Sequence, residues 1–145
     1  MTLTFYKYQG TGNDFIILDN RSGQFPKNNH SLVAKLCDRK FGIGADGLML
    51  LETETNFDFK MVYFNSDGAQ STMCGNGGRC LAAFAKSIGV IGNEGLFNAV
   101  DGSHEVVIKE DQVILGMKKV NEVQNKDKYL YLDTGSPHHV QFVSD

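Results

Sequence analysis

Met73-Cys74-Gly75-Asn76-Gly77-Gly78-Arg79-Cys80, continued by Leu81-Ala82-Ala83-Phe84-Ala85-Lys86-Ser87-Ile88-Gly89, is the stretch around which the chain is organised. From Leu81 onward it has good helix formers, no proline and a terminal glycine at Gly89, which predicts a helix with Gly89 as its stop. Its apolar residues run almost all the way round, Lys86 being the main exception, so the helix is expected to be buried. The glycine-rich half lies at the helix N-terminus. Unpaired backbone N–H groups and partial positive charge collect there. A cysteine in that setting has its thiolate stabilised. The amides from Gly75 to Gly78, free of side chains at three of the four positions, form a candidate cradle for an anion such as a carboxylate. Cys37 and Cys80 instead lie among helical apolar residues and read as small buried hydrophobes.

Working outward, the segments on either side are mostly strand. Leu3–Gln9 is rich in aromatic and β-branched residues, and Phe15–Asp19 is apolar enough to be buried. Gly10–Asp14 between them is a turn-forming loop. Ser31–Lys40 has helical spacing, with Leu32, Val33, Leu36 and Cys37 on one face and Gly42 as its stop. Leu48–Leu51 and Phe57–Phe64 follow as strands, the second alternating Phe57, Phe59, Met61 and Tyr63 along one face. Asn65-Ser66-Asp67-Gly68 is a turn. After the central helix come short strands at Leu96–Val100, Glu105–Lys109 and Val113–Met117, with Asp101-Gly102 and Glu110-Asp111 as turn signals. Asn121–Lys128 is polar and expected to be exposed. Tyr129–Leu132 and Val140–Val143 flank a loop over Thr134–His139. Many short strands with two helices give an α+β domain. A helix that is apolar all round, in a chain otherwise mostly strand, implies a sheet curled around it.

Composition narrows the function. The 145 residues are 41% hydrophobic and 21% charged, with a net charge of −3. That balance suits one globular domain and argues against a nucleic-acid or acidic-membrane partner. No apolar run reaches membrane-spanning length. Met1-Thr2-Leu3-Thr4-Phe5 lacks the basic and apolar regions of a secretory signal, and three cysteines follow neither disulfide nor zinc spacing, so a reducing cytoplasm is expected. Gly42-Ile43-Gly44-Ala45-Asp46-Gly47 matches G-x-G-x-x-G, but a helix precedes it and a strand follows. A dinucleotide fingerprint needs the reverse, so the match is rejected. Asn29-His30-Ser31 fits a glycosylation acceptor without a secretory context. His138-His139 has no further metal ligand near it, and His138 reads as a hydrogen-bonding or acid/base residue.

Three separated pieces together resemble one family. They are Gly12-Asn13-Asp14-Phe15, the run Phe64-Asn65-Ser66-Asp67-Gly68, and Met73-Cys74-Gly75-Asn76-Gly77 with Arg79-Cys80 behind it; Gly42-Ile43-Gly44-Ala45-Asp46 fits as well. They look like the N-terminal half of diaminopimelate epimerase, an enzyme of lysine and cell-wall precursor synthesis that needs no pyridoxal phosphate. The resemblance runs from Met1 to about His138. Proline racemases and phenazine-pathway isomerases share the fold but typically carry His where Asn76 stands and lack the Gly-Asn-Asp-Phe piece.

The resemblance implies two similar domains, each a mostly antiparallel β-sheet curled around a central buried helix, with the active site between them and no cofactor. One cysteine from each half faces the substrate α-carbon, and Cys74 matches the first. Asn13 and Asn65 then contact the substrate, Gly75 and Asn76 help bind its carboxylate, and His138 assists the second cysteine. Two positions depart from the family pattern: Gly47, often Gln, and Ser136, often Asn. Nothing follows Asp145, so the second cysteine and its half are expected to be missing. Residues 1–145 then form one of the two domains, inactive alone, whose partners are the substrate diaminopimelate, the C-terminal domain and, as an open expectation, a second copy in a homodimer. A stand-alone carboxylate- or amino-acid-binding module, and a thiol redox sensor on Cys74, are the alternative readings on the same scaffold.

Overall fold

The computed structural model describes residues 2–144. Its first sheet has seven strands in sequence order: β1 (Tyr6–Gly10), β2 (Asn13–Asp19), β3 (Gly47–Glu52), β4 (Phe59–Asn65), β5 (Glu94–Ala99), β6 (Gly102–Lys109) and β7 (Gln112–Leu115). Neighbours pair antiparallel except β2 with β3 and β4 with β5, which are parallel. A parallel pair needs a crossover, and each carries one of the two helices. Helix α1 (His30–Cys37) bridges β2 to β3, and α2 (Gly75–Ser87) bridges β4 to β5. Helix α2 packs against β1, β2 and β3 from one end of the sheet and against β6 and β7 from the other. One helix touching both ends of a seven-stranded sheet is what a curled sheet around a central helix requires.

The inner core holds Phe15 and Ile17 of β2, Met49 and Leu51 of β3, Phe59 and Met61 of β4, and Cys80, Leu81, Phe84 and Ala85 of α2. The opposite faces of the same strands, through Ile16, Leu18, Leu48, Leu50 and Val62, pack with Val33 and Cys37 of α1. With both faces covered, β2 is apolar without a break from Phe15 to Leu18 and β3 from Leu48 to Leu51, rather than alternating. Each large side chain so buried contributes about 1.5–3 kcal/mol. The inference of a buried helix holds, because Lys86 and Ser87 are the exposed residues of α2.

Several boundaries differ from the sequence reading. Strand β2 starts at Asn13, because Thr11 (φ 55°) and Gly12 (φ 84°) form a two-residue turn of the mirror-image type that twisted hairpins prefer. Helix α1 ends at Cys37 instead of Lys40. The Asp38 carboxylate takes the Lys40 and Phe41 amides, and a Cβ on Gly42 would lie 2.0 Å from the Lys35 carbonyl. Helix α2 begins at Gly75, so the glycine-rich segment is its first turn rather than a lead-in to a helix at Leu81.

The polar segment 121–128 is exposed as expected, apart from half-buried Gln124, and contains β8 (Val123–Asn125), which pairs with β9 (Leu130–Asp133). Strand β10 is Pro137–Val140 and not Val140–Val143, because the turn closes at Gly135 (φ 102°) and pairing resumes with Pro137 opposite Asp133. These three strands form a second small sheet. It is tied to the main body where the Met73 amide donates to the Gly135 carbonyl (3.3 Å) and the Thr72 and Ser136 hydroxyls meet at 2.9 Å.

Candidate active site

Cys74 is the N-cap of α2, extended at φ −121° and ψ 116°. Its sulfur accepts from the Gly77 amide at 3.4 Å, and its carbonyl accepts from the Gly78 amide at 2.8 Å. The cysteine therefore does the work that serine or aspartate usually does at a helix start. Two first-turn amides, Gly75 and Asn76, have no partner among the described residues. The cradle expected over Gly75–Gly78 thus narrows to this pair. Gly77 and Gly78 serve packing instead: a Cβ on Gly77 would lie 1.8 Å from Met49 Cε, and one on Gly78 2.8 Å from Met73 Cε. Gly75 meets nothing closer than 3.6 Å and opens toward solvent.

Asn13, at the start of β2, reaches the same sulfur: Cys74 Sγ donates to its Oδ1 at 3.6 Å. Its Nδ2 donates to Asp46 Oδ2 at 2.8 Å, and the Asp14 amide donates to the same oxygen at 3.2 Å. Arg39 Nη2 bridges Asp46 Oδ1 (2.8 Å) and Asp14 Oδ1 (2.7 Å), and Lys7 completes the cluster on Asp14 at 2.7 Å. The Arg39 guanidinium, helped by Lys7, holds the Asp14 carboxyl far below the usual carboxylate range. The Asn13 amide, with the Asp14 N–H and Arg39 behind it, lowers that of Asp46. The Gly42–Gly47 loop, rejected as a nucleotide fingerprint, is the segment that delivers Asp46, and its surroundings agree: α1 before it, β3 after it.

Asn76 lies against the hairpin tip. Its Nδ2 donates to Thr11 Oγ1 at 3.2 Å and its Oδ1 accepts from Arg79 Nη2 at 2.7 Å. The sequence alone gives Arg79 no role, although i, i+3 spacing from Asn76 puts both on one helix face.

Cys74, Gly75, Asn76, Arg79 and Tyr63 line an open cleft of about 500 Å³, and His138 closes its far side. His138 donates from Nδ1 to the Ser136 carbonyl at 2.7 Å, which leaves Nε2 available. Asn65 is not part of the cleft lining. It sits at the end of β4 opposite Gly47, beside the Asp46 loop. The departure at Gly47 has a steric counterpart, since a Cβ there would lie 2.4 Å from Tyr63 Cε2 and 2.6 Å from the Phe64 carbonyl. Tyr63 fills the space a side chain at 47 would need, and burial pushes its phenol up to about 12. Ser136, the other departure, spends its hydroxyl on Thr72. Cys37 and Cys80 are buried, and burial pushes both thiols up to about 11.

Among the described residues no cluster of three or more His, Cys, Asp or Glu side chains is arranged to hold a metal, and no helix is long and apolar enough to cross a membrane. A protein-family model described as diaminopimelate epimerase matches residues 5–123. Curated relatives include the diaminopimelate epimerase of Flavobacterium psychrophilum, 62% identical over 99% of this chain and 56% of its own length. That of Chlorobaculum tepidum is 43% identical over 94% of this chain and 56% of its own length. The chain therefore spans little more than half of these relatives. Among solved structures, a Bacillus anthracis phenazine biosynthesis protein of the PhzF family superposes with a TM-score of 0.67 at 12% identity, over 94% of this chain and 53% of the other. A protein described as a probable proline racemase from Agrobacterium radiobacter K84 gives 0.61 at 11% identity, over 95% and 51%. At such identities the likeness speaks for the fold, and it matches the racemase-like architecture expected from the sequence.

Proposed function

The chain belongs to the diaminopimelate epimerase family, and from that premise we propose that it is one half of an epimerase that interconverts LL- and meso-diaminopimelate with two cysteines and no cofactor. The observation that carries the reading is the juxtaposition, at one helix start, of a half-buried thiol and two amides that have no partner among the described residues. Removing an α-proton from an amino acid needs a proton-transfer group at the carbon and stabilisation of the charge that moves onto the carboxylate. Cys74 is the first. The Gly75 and Asn76 amides, in line with the α2 dipole, are the second. Arg79 holds Asn76 in place. Asn13, beside the Cys74 sulfur, and Asn65, outside the cleft lining, are assigned to substrate contact by the family resemblance, and His138 on the small sheet to assisting the cysteine of the other half.

Inversion needs a second proton-transfer group on the opposite face. Cys80 is buried within α2 and Cys37 lies on the far side of the sheet, so neither serves. We infer that the second cysteine belongs to the C-terminal domain and that residues 1–145 alone do not turn over. The test incubates the chain with LL-diaminopimelate in deuterated water and follows isomer ratio and deuterium content. No change is expected. A fusion of this chain to the C-terminal part of the Flavobacterium relative is expected to epimerise and to lose activity on Cys74→Ala. A fusion that stays fully active as Cys74→Ala would overturn the assignment. A chain that binds the substrate, but whose fusion never exchanges the α-proton, would favour the binding-module reading.

A further inference from the structure

The Asn13 side chain has two ends and two different neighbours. One is Asp46 Oδ2 at 2.8 Å, which also takes the Asp14 amide. Asp46 keeps its charge, since Asn13 and Arg39 both favour the ionised form. An ionised carboxylate only accepts, so the end of Asn13 that faces it must be the NH₂. The carbonyl end is then forced onto the cysteine, where Oδ1 lies 3.6 Å from Sγ. An oxygen lone pair there is satisfied by S–H and repelled by S⁻. The Gly77 amide, 3.4 Å from the same sulfur, acts in the opposite sense.

We propose that Asp46 is a positioning residue for Cys74: by fixing the orientation of the Asn13 amide it holds the resting cysteine as the proton-carrying thiol against the pull of the helix start. The inference rests on the proposed epimerase reading for its consequence. In the direction that starts from this resting form Cys74 is the acid, and in the reverse direction it is the base. Its S–H proton passes to the α-carbon, the α-proton on the other face passes to the opposing base, and Sγ is left as a thiolate facing the Gly77 amide. Arg39 acts one step further back by fixing the Asp46 carboxylate through Oδ1. The other groups around the sulfur are Tyr63 of β4, Arg79 and Cys80 of α2 and His138 of β10. Among the described residues none of them hydrogen-bonds to Sγ.

The test is the pH profile of Cys74 alkylation in the isolated chain, read by mass spectrometry in about 0.5 M salt, where charge effects through solvent are screened to a few ångströms. Asp46→Ala frees the Asn13 amide to turn its NH₂ toward sulfur, and the midpoint is expected to fall by about 0.5–1 pH unit. Asn13→Ala removes the accepting oxygen, and the midpoint is again expected to fall. Adding Asp46→Ala to Asn13→Ala is expected to change nothing further, which a merely structural role for Asp46 does not predict. An equal shift with and without Asn13 would overturn the proposal. So would an unchanged or higher midpoint in Asn13→Ala, and that arm decides the matter if Asp46→Ala does not fold. Because no substrate is involved, failure of the epimerase reading leaves this measurement intact.

Discussion

At the scale of the residue, three thiols of one chain differ only in surroundings. Cys37 and Cys80 are buried among side chains and held up to about 11, whereas Cys74 is half-buried at a helix start. Brief alkylation near pH 8 is therefore expected to label Cys74 first, with Cys37 and Cys80 labelled only on unfolding. Labelling of Cys80 ahead of Cys74 would contradict the site. Gly47 makes a second residue-level prediction. The space above it is taken by Tyr63 and, more firmly, by the Phe64 carbonyl, which cannot rotate away. Gly47→Ala is expected to destabilise the chain by about 1–3 kcal/mol in urea unfolding. Substituting Tyr63 should relieve only part of that, because the backbone contact remains. The motif glycine at 47 was legible in the sequence; that its neighbour across the strand had closed over it was not, because cross-strand partners are set by register.

At the scale of the element, the first turn of α2 divides its glycines by task. Gly77 sits against the Cε end of Met49, a fully buried side chain, so Gly77→Ala forces that end to repack within the core. A loss of about 1–3 kcal/mol is expected. Met49→Ala should make the two substitutions less than additive, since it supplies the missing space. Gly75→Ala, with nothing closer than 3.6 Å, should leave stability nearly unchanged. The β2 start and the Asp46 loop make a pH-dependent pair of elements. Asp14 and Asp46 have their folded-state values lowered by Arg39, Lys7 and the Asn13 amide. A lowered value stabilises the fold above the unfolded carboxylate range and loses that contribution as pH falls through and below about 4. Acid unfolding followed by circular dichroism should therefore be shallower for Asp14→Asn than for the parent chain. A parent curve no steeper than the variant would remove these carboxylates from the stability account.

At the scale of the molecule, the two sheets differ in what holds them. The seven-stranded sheet encloses α2 and carries apolar cores on both faces of β2–β4. The small sheet over 123–140 buries no large side chain and meets the body through residues 72–73 and 134–136. Amides of β8–β10 are expected to exchange with deuterium well before those of β2–β4. Equal protection would mean that the small sheet folds as one unit with the main body. Since His138 stands on β10, this sheet sets how firmly the far side of the cleft is held. Phe142 and Val143 beyond it are 90% and 81% exposed.

Local chemistry determined by itself the buried helix, the presence of a second helix before it, the buried apolar run of β2, the rejection of the Gly42–Gly47 fingerprint, and Cys74 at a helix start. Each of these follows from spacing, propensity or end effects within about a dozen residues, or from motif pieces whose residue types announce their use. Tertiary structure alone decided which glycines of the first turn stay open, because Met49 and Met73 close over Gly77 and Gly78 while Gly75 meets nothing nearer than 3.6 Å. It also decided that Asp46, 33 positions from Asn13, orients the amide that touches Cys74, and that Tyr63 occupies the space over Gly47. Those facts depend on strand register and on how far the sheet curls, and contacts between chain-distant atoms are fixed only when the whole core closes.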